Sequence, residues 1–274
     1  MKIRSDFVTN SSSSSFTVSL DVKLVDGTQL TIGRHHDCGD FDGDGISFCM
    51  IDAAGETVMD THFDPLVFCM NETDLMDPDE IPYEVAESIS GFVDTTNLLA
   101  IQQAEDAESL IAAIQKPLDS IAVCLPDEED EEEYEFEDES AAEILQQMDS
   151  RLTEILEDST EALKNAIASP ADLQSVTMDL EFSGFGEFLK DADEILDQIF
   201  EYEEKKQIVA ILEDEGEDAV AALENLDFMK AFTPSSIQAI VDFWQDCDCP
   251  PSECNVRQTL LPNGLIDMTI SYEV

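Results

Sequence analysis

The chain has 274 residues, and its 64 Asp and Glu stand against 12 Lys and Arg, a formal net charge of -52. That imbalance argues against direct nucleic-acid binding, because a phosphate backbone calls for a surplus of cations, and against docking to an anionic membrane face, which needs polybasic segments. At 43% hydrophobic residues, with 15 Phe, the chain is too apolar to be wholly disordered.

The elements follow in chain order. Residues 1–16 form a Ser-rich lead-in. Phe16–Leu24 alternates apolar and polar, and Asp26-Gly27 turns it into a second strand at Gln29–Ile32. A second hairpin is expected from Ile46–Asp52 through Ala54-Gly55 to Thr57–Phe63, with a further strand at Leu66–Met70. Pro78 and Pro82 mark loops and short helices over 72–98. Helical spacing returns at Glu105–Gln115 and stops at Pro117, and Ser120–Leu125 reads as a buried strand. Residues 127–139 hold eleven acids in thirteen positions, interrupted by Tyr134 and Phe136, and serve as the boundary between a β-rich part, 17–126, and a helix-rich part, 140–274.

Beyond the acidic run, Ser140 and Glu143 have capping-box spacing for a helix reaching about Ala168, with Ile144, Leu145, Met148, Leu152, Ile155, Leu156 and Leu163 on a 3.6-residue period. Ser169-Pro170 opens a short turn, and Ser175–Phe182 alternates like a strand. Two helices are expected at Glu187–Glu213 and Glu217–Met229, and a third from Thr233-Pro234 to about Trp244. Arg257–Leu261 and Leu265–Val274, joined by Pro262-Asn263-Gly264, close the chain as a hairpin. The expected fold class is α+β.

Residues 3–17 carry Ile3-Arg4, Phe7-Val8, Asn10, the run Ser11, Ser12, Ser13, Ser14, Ser15, and Phe16. This string resembles the N-terminal signature K-I-R-x-x-F-V-S-N-S-S-S-S-S-F shared by a scattered group of bacterial and large-phage proteins, with Thr9 in place of a Ser. The bodies behind that signature differ, so the resemblance implies a bacterial or phage source and no fold, activity or substrate. The run reads as a processing site, a modified segment or a docking tag, or as a polar lead-in to the first strand.

Seven cysteines are too few for a disulfide scaffold, and an odd number fits free thiols. Cys49, Cys69 and Cys124 sit in apolar runs and read as buried hydrophobes. Zinc chemistry points to Cys247, Cys249 and Cys254, with His36 among the residues able to complete a tetrahedral set, although the usual paired C-x-x-C spacing does not occur. Calcium chemistry points to Asp40, Asp42 and Asp44 followed by Gly45, the front half of an EF-hand loop whose twelfth position is Ile51 instead of Glu. The motifs G-x-S-x-G, G-x-x-x-x-G-K-[ST], H-E-x-x-H and G-x-G-x-x-G do not occur. The reading that best uses the charge is a cytoplasmic, non-catalytic protein whose acidic surface meets a basic protein, in the manner of a nucleic-acid mimic. A metal-stabilised domain and an enzyme of unrecognised class are the alternatives, beside a surface that is acidic for solubility alone.

Overall fold

The computed structural model describes residues 15–37, 45–65, 67–68, 89–91, 98–119, 121–123, 139–183, 192–214, 219–246 and 253–273. Four strands come first: β1 (Ser15–Leu24), β2 (Gln29–Asp37), β3 (Gly45–Ile51) and β4 (Thr57–Phe63), each antiparallel to the one before. A small pair, β5 (Ile89–Gly91) and β6 (Ile121–Val123), brackets the helices α1 (Leu98–Gln102) and α2 (Ala107–Gln115). Then follow α3 (Glu139–Ala166), β7 (Leu173–Ser183), α4 (Ala192–Asp197), α5 (Tyr202–Asp214), α6 (Ala219–Leu223), α7 (Pro234–Asp246), β8 (Glu253–Leu260) and β9 (Ile266–Glu273).

The fold is α+β, built on one seven-stranded antiparallel sheet in the order β4-β3-β2-β1-β7-β8-β9. β1 pairs with β7 from Ser15↔Ser183 to Leu24↔Leu173, so the sheet runs unbroken past the acidic run at 127–139 and joins strands from both halves of the chain. Phe16, Val18, Leu20, Val22 and Leu24 of β1 are buried on one face with Val176, Met178, Leu180 and Phe182 of β7. Helices cover this face: Leu145, Met148, Leu152 and Leu163 of α3 and Ile237, Ile240 and Phe243 of α7 join the same core. The period of two in the strands meets the period of 3.6 in the helices there.

The turns form where their residues demand. Gly27 takes φ +99° and Gly264 takes φ +81°, in the left-handed region that glycine enters at little cost. Asp26 accepts the Thr28 N–H at 2.8 Å, and this bond, with the Thr28 hydroxyl, holds its carboxyl below the usual range.

Several elements differ from expectation. β2 continues to Asp37, because β1 offers a partner along its whole length, from Lys23↔Gln29 to Ser15↔Asp37. Of the strand expected at Leu66–Met70, Val67 and Phe68 are helical instead, with Asp64 accepting the Phe68 N–H on its carbonyl and the Val67 N–H on its carboxylate, and residues 66, 69 and 70 lie outside the described residues. Asp64-Pro65 is thus a cap followed by a first-turn proline. α3 begins at Glu139, so Ser140 lies inside the helix rather than before it. Of the long helix expected at Glu187–Glu213, residues 187–191 lie outside the described residues, and the rest forms α4 and α5 with a break between them. Ile199 and Phe200 are buried at the break, and Phe200 packs on Phe228 and Phe232 at centroid distances of 6.3 and 5.6 Å. Their burial outweighs continued helix propensity. The helix expected at Glu217–Met229 ends at Leu223, and a 3-10 turn follows at Phe228–Ala231.

α7 is pinned to the sheet through Ser236, which is fully buried. Its hydroxyl accepts the Met268 N–H at 2.7 Å and lies 3.2 Å from the Ile266 carbonyl, to which it donates. Ser236→Ala leaves both backbone groups without this partner, and the expected loss is about 2 kcal/mol. Urea unfolding with an unchanged m-value checks it; a loss under about 0.5 kcal/mol contradicts the clamp.

Candidate functional site

The other face of the sheet is polar and open, and register places its residues in rows across the strands. One row runs Asp60 on β4, Cys49 on β3, Thr31 on β2, Asp21 on β1, Thr177 on β7, Thr259 on β8 and Asp267 on β9. The next runs His62, Ser47, Gly33, Ser19, Asp179, Arg257 and Thr269. A third continues with Gly45, His35, Thr17, Glu181, Asn255 and Ser271. Asp21, Asp60, His62, Glu181, Glu253 and Arg257 are exposed, while the Ser and Thr between them are mostly half-buried.

Side chains on this face bond across strands. Thr31 donates to Asp21 at 2.8 Å, Asn255 donates to Glu181 at 3.4 Å, and Arg257 meets Asp179 at 3.5 Å. His35 Nδ1 lies 3.2 Å from the Thr17 hydroxyl. Such contacts hold the polar groups at the spacing of the sheet, about 4.8 Å between strands. The middle of the face is low: a Cβ on Gly33 would sit 2.6 Å from Ser47 Oγ. Gly33→Ala therefore displaces the Ser47 hydroxyl and is expected to destabilise by about 1 kcal/mol. Adding Ser47→Ala should recover most of that loss in a double-mutant cycle; strictly additive effects contradict the close approach.

Cys49 stands on this open face, half-buried, and not in the core as its apolar surroundings suggest. Burial first, and then the Asp60 charge, push its thiol above the ordinary value, which disfavours the reactive thiolate.

The metal candidates divide. Cys247, Cys249, Asp40, Asp42 and Asp44 lie outside the described residues. Cys254 is buried on β8 opposite Phe182, and His36 occupies the β2 position opposite Phe16. Three strand spacings separate these two positions, about 14 Å, further apart than two ligands of one zinc ion. Among the described residues, no group of three or more His, Cys, Asp or Glu is arranged to hold a metal ion. β3 starts at Gly45 and carries Ile51 in the sheet, so no helix leaves the acidic loop there.

Of the N-terminal signature, Phe7, Val8, Asn10 and Ser11–Ser14 lie outside the described residues. Its last two residues begin β1: Ser15 Oγ is 2.6 Å from Ser183 Oγ, and Phe16 is fully buried with its ring 4.9 Å from that of Phe182.

Two inward polar residues were missed from the sequence. Arg34 and Gln258 are buried, at 1% and 0% exposure. Both follow strand parity, Arg34 after Leu30 and Ile32 and Gln258 after Val256, so the alternation itself was the available signal. The helix layer adds carboxylates of its own, with Glu143, Glu157, Asp158 and Glu161 exposed along α3. A shallow depression on the outer side of α3, lined by Glu143, Gln146, Gln147, Ser150, Arg151 and Glu154, is open to solvent.

On α5, Glu204 is held above the ordinary carboxyl range, first by burial and further by the Glu201 charge. A raised folded-state value means that the fold binds this proton more tightly than the unfolded chain does. The resulting stability is present below the unfolded value and is lost as pH rises through the folded one. Glu204→Gln is accordingly expected to raise the melting temperature at pH 7 and to leave it little changed at pH 4, as calorimetry at the two pH values will test.

Comparison with protein families, with curated proteins and with solved structures finds no match to this chain. No helix among the described residues is long and apolar enough to cross a membrane.

Proposed function

We propose that this is a non-catalytic acidic binding protein whose partner is a cationic protein, and that its surface stands in for the polyanionic backbone of a nucleic acid. The observation that carries the reading is the charge: 64 acids against 12 Lys and Arg, where an ordinary surface mixes the signs. Exposed carboxylates on the sheet, such as Asp21 and Glu181, and on α3, such as Glu157 and Glu161, agree with it. A field of that sign steers a basic partner to the surface and rejects acidic ones.

The test is a calorimetric titration with protamine, a basic DNA-binding protein, with double-stranded DNA as competitor. Affinity should fall steeply between about 50 mM and about 500 mM salt, and DNA should displace the protein. An affinity that does not change with salt, or a complex that DNA leaves intact, overturns the reading.

A further inference from the structure

We infer that the free edge of β4 is a binding site for an extended segment of a basic protein, which joins the sheet there as a further strand. The basic sign of the segment rests on the cationic-partner reading above; the pairing itself rests on the backbone. The sheet has two outer strands, β9 and β4, and they are finished differently. β9 is closed: the Thr233 N–H donates to the Ile266 carbonyl at 2.9 Å, and the Ser236 hydroxyl accepts the Met268 N–H. β4 has no such cover among the described residues. The ladder fixes which of its groups face outward. The Leu24 N–H donates to the Thr28 carbonyl, so the even-numbered residues of β1 turn their N–H and C=O groups toward β2. Alternation through the next two registers turns those of Met59, Thr61 and Phe63 toward β3. Asp60 and His62 therefore present theirs to the free edge, and both residues are exposed.

A row of main-chain donors and acceptors is complemented by the backbone of another extended chain. Proteins commonly block such an edge with Lys or Pro, and β4 carries neither. Apolar exposure collects at the same place. Of the four large apolar side chains exposed among the described residues, Val58 lies on β4, at 52%, and Val67 lies in the turn just past it, at 46%. Met59, on the inward side, is half-buried and packs on the core, so a strand laid alongside extends the core past it. Asp60 stands on the open face, within reach of a cation opposite it on the incoming strand. The segment that fits alternates aliphatic residues, pointing inward, with Lys or Arg pointing outward. A charge of -52 on each chain opposes a second copy as the occupant.

The probe is a peptide of about eight residues alternating Val and Lys. In the parent protein it should slow hydrogen exchange at the Asp60 and His62 amides by at least about tenfold, a readout that needs no variant to fold. Two variants of equal charge then test the pairing. Asp60→Pro removes a free-edge N–H, a place where a strand tolerates proline, and Asp60→Asn removes the same charge but keeps the N–H. Asp60→Pro should bind the peptide at least about tenfold more weakly than Asp60→Asn. Peptide binding that leaves the two amides exchanging as before, equal affinity of the two variants, or no binding at about 1 mM peptide overturns the edge assignment and leaves the cationic-partner reading in place. Amides already protected in the free protein, with a dimer on sedimentation, put a second copy at the edge and overturn it as well. A peptide alternating Val and Thr that binds as tightly and protects the same amides overturns the basic sign of the segment while the pairing stands.

Discussion

Replacing Phe16 by Ala is expected to destabilise the fold by about 4 kcal/mol, the range for truncating a fully buried Phe. Phe16 has no exposed surface, lies on the central strand of the sheet, and packs against Phe182 on β7, the strand that links the two meanders. The cavity therefore opens where strands from the two halves of the chain meet, and little there is able to collapse into it. For a chain of this size the melting temperature should fall by about 8–16 °C. Ser15→Ala, which removes a half-buried hydroxyl contact at the neighbouring position, should cost under about 1 kcal/mol. The contrast between adjacent residues is what the register requires, because one side chain points into the core and the other onto the open face. A Phe16→Ala protein that melts with the parent would show that β1 does not begin where the structure puts it.

Salt is expected to stabilise the protein. Raising sodium chloride from about 10 mM to about 1 M shortens the screening length from about 30 Å to about 3 Å. Carboxylates that outnumber their counter-charges by 52 then repel each other far less in the compact state. The described ion pairs are exposed or part-exposed, and each contributes under about 1 kcal/mol, so their weakening offsets only part of the gain. A net gain of about 2–3 kcal/mol corresponds to a rise of about 5–10 °C in the melting temperature. The effect should shrink near pH 4, where protonation already removes much of the charge. Scanning calorimetry across a salt series at pH 7 and pH 4 provides the check. A melting temperature that stays flat or falls with salt at pH 7 would mean that repulsion is not what limits stability, and would weaken the case for a surface poised to accept cations.

The hairpins at both ends of the chain were legible because their signals are local. Alternation from Phe16 to Leu24, Asp26-Gly27 and Asn263-Gly264 each act within a few residues, and the structure has strands and turns at those places. Helix α3 was legible for the same reason, its apolar stripe being long and regular. The errors came where a distant partner decided. Arg34 keeps the inward parity of Leu30 and Ile32 but is not apolar, so the hydrophobic signal of β2 stops at Ile32, yet pairing with β1 carries the strand on to Asp37. The chain between α4 and α5 has helical residues throughout, yet Phe200 leaves the helix to meet Phe228 and Phe232.

The site divides along the same line. Composition alone established that the surface is acidic, since so few cations cannot balance so many carboxylates wherever the chain folds. Residue order established the α+β class, through periods of two and 3.6 that each segment carries within itself. Which carboxylates stand side by side was beyond it. Asp60, Asp21 and Glu181 share one face because β1 pairs with β7 across some 150 residues of chain, and that pairing depends on long-range burial of Phe16, Leu20, Met178 and Leu180. Tertiary structure likewise moved Cys49 out of the core and set Cys254 about 14 Å from the position of His36, because strand order, which no local pattern encodes, governs what lies beside what.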